Sequence, residues 1–390
     1  MIKNEMKAHL EEVIIPFWKR LRDHDYGGYF GEVDSDLKIK EKADKGCILN
    51  SRILWFFANA YTLLKDESLL DYAKHAYLFL KENCLDTVNG GIFWSINYNG
   101  VPADTSKYTY NQAFAIYALS SYYEASGDEE AIKLARDLYR LIEDKCTDKI
   151  GYLEAFDEDF NPIPNDKISE NDVIADKTMN TLLHIFEAYT EFYRVFPSEG
   201  VGRRLEWILS TFAEKVYNPD RRRLDVFFDT EMKPIIDLHS YGHDIEAAWL
   251  IDRGVQVLSN RSYFIRMNPI TATLTHEVHD KAFDGSSLSY EAVKGEVNET
   301  RVWWVQAEAL VGFMHGLKRE PHRTEYKDVV NSLWAFIKDY LIDGRVNSEW
   351  FSEVNSNGKP DMELPLVDMW KCPYHNGRMC FEVLKAEIEI

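Results

Sequence analysis

Asp25-Tyr26-Gly27-Gly28-Tyr29-Phe30 is a glycine turn set among aromatics, and it recurs. Asn89-Gly90-Gly91-Ile92-Phe93-Trp94 repeats it, and Gly151-Tyr152-Leu153-Glu154-Ala155-Phe156 repeats it again. Weaker copies stand at Leu224-Asp225-Val226-Phe227-Phe228, at Asp284-Gly285 and at Glu349-Trp350-Phe351. The interval is about 60 residues, stretched where loops are inserted. Each copy is bounded by turn formers and reads as a short strand or hairpin.

After each copy comes a polar loop and then a helical pattern. These helices are expected to begin near Asn50, Tyr110, Lys177, Gly242, Arg301 and Tyr374. Ile53, Leu54, Phe57 and Tyr61 share one side of the first, and Phe114, Tyr117 and Leu119 repeat the spacing in the second. Second helices follow over 69–81, 129–142, 201–216 and 326–341. A helix over 1–21 precedes the first copy and completes the set, and 260–282 supplies the remaining outer helix despite Pro269.

Six helix pairs without a long strand run predict an all-α fold, an (α/α)6 barrel, with short β-hairpins in the loops at one mouth. The whole chain, 1–390, reads as one domain. In such a six-hairpin toroid the loops before the inner helices converge, so residues at those helix starts gather at one site. An open α-solenoid for protein binding is the alternative, but it needs capping repeats and has less use for so many polar residues at these starts.

Composition narrows the function. With 45% hydrophobic residues the chain can bury a large core. Aromatics at 14% exceed what a core needs and suit a cleft that stacks on sugar rings. A net charge of −20 argues against nucleic acid as a partner, since nothing would neutralise its phosphates. The run Arg221-Arg222-Arg223 is too short to alter that and reads as a solvated loop. Five cysteines without CxxC pairing, in a chain lacking a signal-like apolar start, point to reduced thiols and a cytoplasmic location. No window is apolar enough for a membrane span. A monomer or weak homodimer is expected.

The inner-helix starts carry an unusual polar set. Ser240-Tyr241-Gly242-His243-Asp244-Ile245-Glu246-Ala247-Ala248-Trp249 puts His243 and Glu246 on one helix face with an aromatic a turn later. Arg301-Val302-Trp303-Trp304-Val305-Gln306-Ala307-Glu308 sets Trp304 and Glu308 four apart. Trp370-Lys371-Cys372-Pro373-Tyr374-His375-Asn376-Gly377-Arg378 sets His375 and Arg378 three apart. Arg52, Tyr110 with Asn111, and Asn180 with His184 occupy matching starts. Each has a structural reading. Asn180 could satisfy a buried His184, Arg52 could pair with Glu308 or Glu246, and Trp249 and Trp304 could be core. Their joint appearance in successive repeats favours a site. No HxH or HExxH spacing is present, so no metal is expected. His9, His24, His75, His276, His279, His315 and His322 read as structural or surface groups, and His239 stays open.

Four segments, 44–55, 239–246, 300–308 and 371–378, resemble those of the cellobiose 2-epimerases, within the N-acylglucosamine 2-epimerase superfamily. The likeness runs essentially end to end and is least over 260–290. It implies an (α/α)6 barrel, no cofactor, and reversible epimerisation at C2 of the reducing-end glucose of β-1,4 disaccharides. Cellobiose would give glucosyl-mannose and lactose would give epilactose. It implies that His243 and His375 are the acid/base pair, assisted by Arg52, His184, Glu246 and Glu308, with Trp304 and Trp370 positioning the sugar. Tyr110, Asn111, Asn180, Trp249 and Arg378 are expected to contact substrate. The chemistry agrees: a ring must open, a base must remove the C2 proton, and a proton must return to the opposite face. Imidazoles with an ordinary pKa near ~6.5 serve both steps, and Arg52 suits an enediolate oxygen. The rivals are a monosaccharide epimerase or isomerase for N-acetylglucosamine or mannose, an inverting glycosidase with Glu308 as acid, and a non-catalytic sugar-binding protein.

Overall fold

A computed structural model describes residues 2–169, 171 and 173–387 of the chain. The fold is the expected (α/α)6 barrel. Inner helices run Cys47–Leu64, Thr109–Ser126, Met179–Val195, Tyr241–Leu258, Trp303–Arg319 and His375–Lys385. Each inner helix packs on the next, and the sixth packs on the first, which closes the ring. The outer helices are 2–20, Glu67–Phe79, Glu129–Lys145, Glu199–Thr211, Arg261–Ala282 and Glu325–Phe336. The first outer helix packs on the last inner one, so the chain's two ends meet. Met1, expected to begin it, lies outside the described residues.

Burial explains which helix goes where. In the second inner helix every residue from Thr109 to Tyr122 is buried, so it needs no amphipathic stripe. The outer helix Glu129–Lys145 buries only Ala131, Ile132, Ala135, Leu138 and Ile142, one face at helical spacing. Each large apolar side chain so covered contributes roughly 1.5–3 kcal/mol. Short caps turn the chain at the far end of the ring. Asp66 and Asp128 each accept from a first-turn backbone N–H, at 2.9 Å from Ser68 and from Glu130. The helix Arg261–Ala282 runs through Pro269 because the proline lies on its exposed side. The carbonyl left unpaired one turn earlier belongs to Ile265, which is 63% exposed and so meets water.

All the loops that lead into inner helices lie at one mouth. The six Gly-aromatic copies, weak ones included, are one repeated element. Antiparallel bridges join Arg22 to Tyr29, Leu85 to Ile92, Thr147 to Tyr152, Phe283 to Leu288 and Ile342 to Trp350. The strand pair Tyr217–Asn218 with Arg223–Leu224 is the remaining copy. Beyond them, each short strand before an inner helix pairs with the loop of the following repeat. Lys45–Gly46 pairs with Ser95–Ile96, Lys107–Tyr108 with Ala155–Phe156, and Lys177–Thr178 with Phe227–Phe228. Leu238–Ser240 then pairs with Glu291–Val293 and Arg301–Val302 with Glu353–Val354, and a Val33–Val367 bridge joins last to first.

Under this mouth lies a ring of ion pairs whose cations are buried. Lys45 binds Asp23 at 2.6 Å, Lys107 binds Asp86 at 2.8 Å, and Arg301 binds Asp284 at 2.7 Å. Lys177 binds Asp148, and Lys371 binds Glu349. His239 fills the same place in the fourth repeat and meets Asp244 at 2.9 Å, which gives it the structural reading. Five of these groups stand two residues before their inner helix. Each therefore latches a hairpin or helix start to the frame. The fourth residue of four inner helices adds a second tie. Asn50, Gln112, Asp244 and Gln306 accept from the backbone N–H of Tyr29, Ile92, Leu224 and Leu288.

Candidate active site

A cavity of about 330 Å³ opens at the latched mouth. That is at the lower end of the roughly 300–1,000 Å³ typical of ligand clefts. His184, His243 and His375 line it, from three different inner helices. So do Arg52, Tyr110, Asn180, Glu246, Trp304 and Trp370. Lys167, Tyr290 and Asp368 belong to its rim.

Each imidazole is fixed through Nδ1. His375 Nδ1 lies 2.8 Å from Glu308 Oε1, His184 Nδ1 lies 2.8 Å from Glu187 Oε2, and His243 Nδ1 lies 2.8 Å from Ser240 Oγ. A carboxylate only accepts, so His375 and His184 hold their ring proton on Nδ1 and leave Nε2 as the basic nitrogen. Trp304 bridges two of them, with its ring 4.8 Å from His243 and 5.6 Å from His375. Gly242 makes room for this tryptophan. A Cβ there would come within 2.6 Å of the Trp304 ring.

Below the cavity floor, Arg378 joins three carboxylates, Glu187, Glu246 and Glu308. Its guanidinium also lies over Trp249 at 4.8 Å and over Tyr374 at 4.2 Å. Arg52 stands apart from this cage. It donates to Tyr110 Oη at 2.8 Å and lies over the Phe114 ring at 4.1 Å. It makes no ion pair with Glu246 or Glu308, because Arg378 takes both.

The electrostatics follow from burial. Burial, then the His184 charge, pushes His243 down to about 3. Burial with the Arg378 and Arg52 charges drives His375 well below the ordinary imidazole range. Burial also lowers His184, against the pull of Glu187. Among the carboxyls, burial and the Glu308 charge raise Glu246 to about 8. Burial raises Glu308, with Arg378 opposing. Burial acts against Glu187 too, but Arg378 and the His184 bond hold it at about 2. At neutral pH the site thus presents three neutral imidazoles over a partly protonated carboxyl cage.

Four expected site residues sit behind the wall. Asn111 donates to the Phe93 carbonyl at 2.7 Å and holds the second hairpin in place. It follows Tyr110 by about 100° around the helix and so faces away from the cavity. Trp249 lies deeper than His243 and donates to Glu308 Oε2 at 3.0 Å. Arg378 lies one turn below His375, in the cage, and Glu308 is fully buried between them. These groups order the site from below and do not line the cavity. Asn180 lines it but does not satisfy His184, whose Nδ1 is taken by Glu187, and Asn180 Oδ1 is buried without a partner among the described residues. Glu187, Ser240 and Tyr374 were not expected. The His184–Glu187 spacing repeats that of His243–Glu246, which is the signal that marks Glu187. One metal-like cluster appears among the described residues, Glu246, Glu308 and His375, with candidate atoms within 4.8 Å. Arg378 already lies on both carboxylates as their cation.

Known proteins agree with this architecture. The N-acylglucosamine 2-epimerase (GlcNAc 2-epimerase) family matches residues 28–375. The chain is 50% identical to a cellobiose 2-epimerase of Eubacterium cellulosolvens, with 100% of each chain covered. It is 47% identical to one of Ruminococcus albus, again over 100% of each. Among solved structures it superposes on a sugar epimerase from a ruminal bacterium with a TM-score of 0.98, at 47% identity over 100% of both chains. A D-mannose isomerase shares the fold at a TM-score of 0.85 and 21% identity, covering 98% of this chain and 97% of that one.

Proposed function

The chain belongs to the N-acylglucosamine 2-epimerase family and is an isomerase, and from that premise we propose that it epimerises C2 of the reducing-end sugar of β-1,4 disaccharides. Cellobiose would give 4-O-β-D-glucosyl-D-mannose, and lactose would give epilactose. Relatives 37–50% identical over nearly their full length carry the name cellobiose 2-epimerase, which supports this substrate class.

The observation that carries the reading is the convergence of three imidazoles, each anchored through Nδ1, on one cavity. In the proposed reaction the pyranose opens, and the aldehyde acidifies the C2 proton. An imidazole Nε2 on one side removes it. The enediolate oxygen develops charge near Arg52, which is permanently cationic and rigidly stacked. A second imidazole returns a proton to the other face. His243 and His375 are the pair assigned to this exchange, with His184 beside them. Trp304 and Trp370 supply apolar faces for the sugar rings.

The test is incubation with cellobiose in D2O, followed by NMR of the products. The expected result is glucosyl-mannose with deuterium at C2. Release of free glucose, or an epimer without label at C2, overturns the proposal. Mannose and N-acetylglucosamine, run in parallel, measure the preference for a disaccharide.

A further inference from the structure

Two imidazoles that serve opposite faces of one carbon must differ by a proton, since one takes and the other gives. The resting site does not supply that difference. Burial drives His184, His243 and His375 alike toward the neutral form. A proton has to be stored on another group.

The carboxyl cage holds it. Three carboxylates share the one guanidinium of Arg378. Glu187 has both oxygens engaged, Oε2 by His184 and Tyr374 and Oε1 by Arg378. Glu308 has both engaged as well, Oε1 by His375 and Oε2 by Trp249. Glu246 differs. Its Oε1 meets Arg378, while its Oε2 is buried with no partner among the described residues. A buried anionic oxygen without a donor is far more costly than a neutral hydroxyl there. Glu246 is also the carboxyl of the cage that lines the cavity. Facing it are Glu187 from the third inner helix, Glu308 from the fifth, His375 and Arg378 from the sixth, Tyr374 just before that helix, and Tyr110 from the second. Burial and the Glu308 charge outweigh Arg378 and raise Glu246 to about 8, in keeping with a stored proton.

We propose that Glu246 rests as a neutral acid with its proton on Oε2 and is the group that opens the sugar ring, an inference that rests on the epimerase reading above. Glu246 Oε2–H gives its proton to the ring oxygen O5 as the C1–O5 bond breaks, and that bond's electrons stay on O5. A neutral imidazole takes the proton of the O1 hydroxyl, whose electrons form the C1=O double bond. The products are an open-chain aldehyde, a Glu246 carboxylate and one imidazolium. Ring opening therefore creates the unequal pair of imidazoles that inversion at C2 requires, and ring closure returns the proton to Glu246.

Glu246→Gln keeps the shape and the Arg378 contact but has no acidic proton. Its kcat on cellobiose falls by about 100-fold or more, as expected for loss of a general acid. Its Kd for the reduced, ring-less alditol of cellobiose stays within about threefold of wild type, under ~0.7 kcal/mol. The deciding substrate is a disaccharide whose reducing residue is 5-deoxy, so that no pyranose forms. On it the variant takes up deuterium at C2 within about tenfold of wild type. Equal loss on both substrates overturns the proposal. Infrared spectra of the wild-type enzyme at pH 7 show a protonated carboxyl that folded Glu246→Gln lacks, and the absence of any protonated carboxyl in the wild type also overturns it. Wild-type enzyme that exchanges C2 hydrogen on neither substrate refutes the epimerase reading instead.

Discussion

Trp249 Nε1 donates to Glu308 Oε2 across 3.0 Å, while the other oxygen of the same carboxylate accepts from His375 Nδ1. The tryptophan therefore reaches His375 through two bonds and does not line the cavity. Trp249→Phe keeps the ring under Arg378 and removes the donor. A hydrogen bond to a charged acceptor is worth about 1.5–3 kcal/mol, so kcat falls by roughly 10-fold or more while KM holds. A raised KM with unchanged kcat would show that Trp249 touches substrate after all.

Glu308 fixes the tautomer of His375. Glu308→Gln replaces an obligate acceptor by an amide that can present either end. The Nε2 lone pair is then no longer held toward the cavity. The expected loss in C2 deuterium exchange is about 10²–10⁴-fold, measured by NMR at saturating cellobiose. Retained exchange would assign the role of proton acceptor elsewhere.

Stability should peak near pH 6.5. His243 falls from 6.5 to about 3 on folding, and His184 and His375 shift the same way. Their contribution is complete above 6.5 and is lost as pH falls, because the unfolded chain then binds more protons. Glu187, held at about 2, adds to the acid loss below its ordinary 4.5. Glu246 has the opposite sign. Its native value of about 8 lies above the ordinary 4.5, so its contribution is present below 4.5 and is lost as pH rises toward 8. Each such proton gives a slope of about 1.4 kcal/mol per pH unit. Urea unfolding from pH 4 to 9 reads it, with Glu246→Gln flattening the alkaline limb. A maximum above pH 8 contradicts the assignment.

The latches carry stability and not chemistry. Lys107→Met leaves Asp86 buried without its cation, which costs about 3–5 kcal/mol in denaturant unfolding. Activity per folded molecule stays near wild type. A large loss of kcat in fully folded protein would mean that the latches also set the position of the catalytic groups.

Much of this was legible in the chain, for physical reasons. Outer helices announce themselves by a single apolar face, and the glycine turns mark the repeats. The weak copies at Asp284-Gly285 and Glu349-Trp350-Phe351 form the same bridge as the strong ones because an outer helix delivers each to the same place. Histidines at helix starts pointed to the cavity. Depth was not legible. Trp249 and Arg378 stand three residues beyond Glu246 and His375, on the same helix faces, but lie further down the ring, below the floor. The latches were hidden for a different reason. A lysine before a helix reads as solvated, and its burial depends on an aspartate in a hairpin some twenty residues upstream, as with Lys45 and Asp23.

The ring of latches separates two kinds of freedom. Chain between a latch and its helix is pinned, so the floor has one arrangement. Chain that loops outward beyond the latches, such as 157–169 with Lys167 and 355–368 with Asp368, meets them only at its base, where Lys107 Nζ donates to the Glu158 carbonyl and Val367 bridges to Val33. Chimeras that graft those outward loops from a relative should inherit the donor's taste for the second sugar while keeping the host's chemistry. The architecture is a fixed workbench with exchangeable jaws.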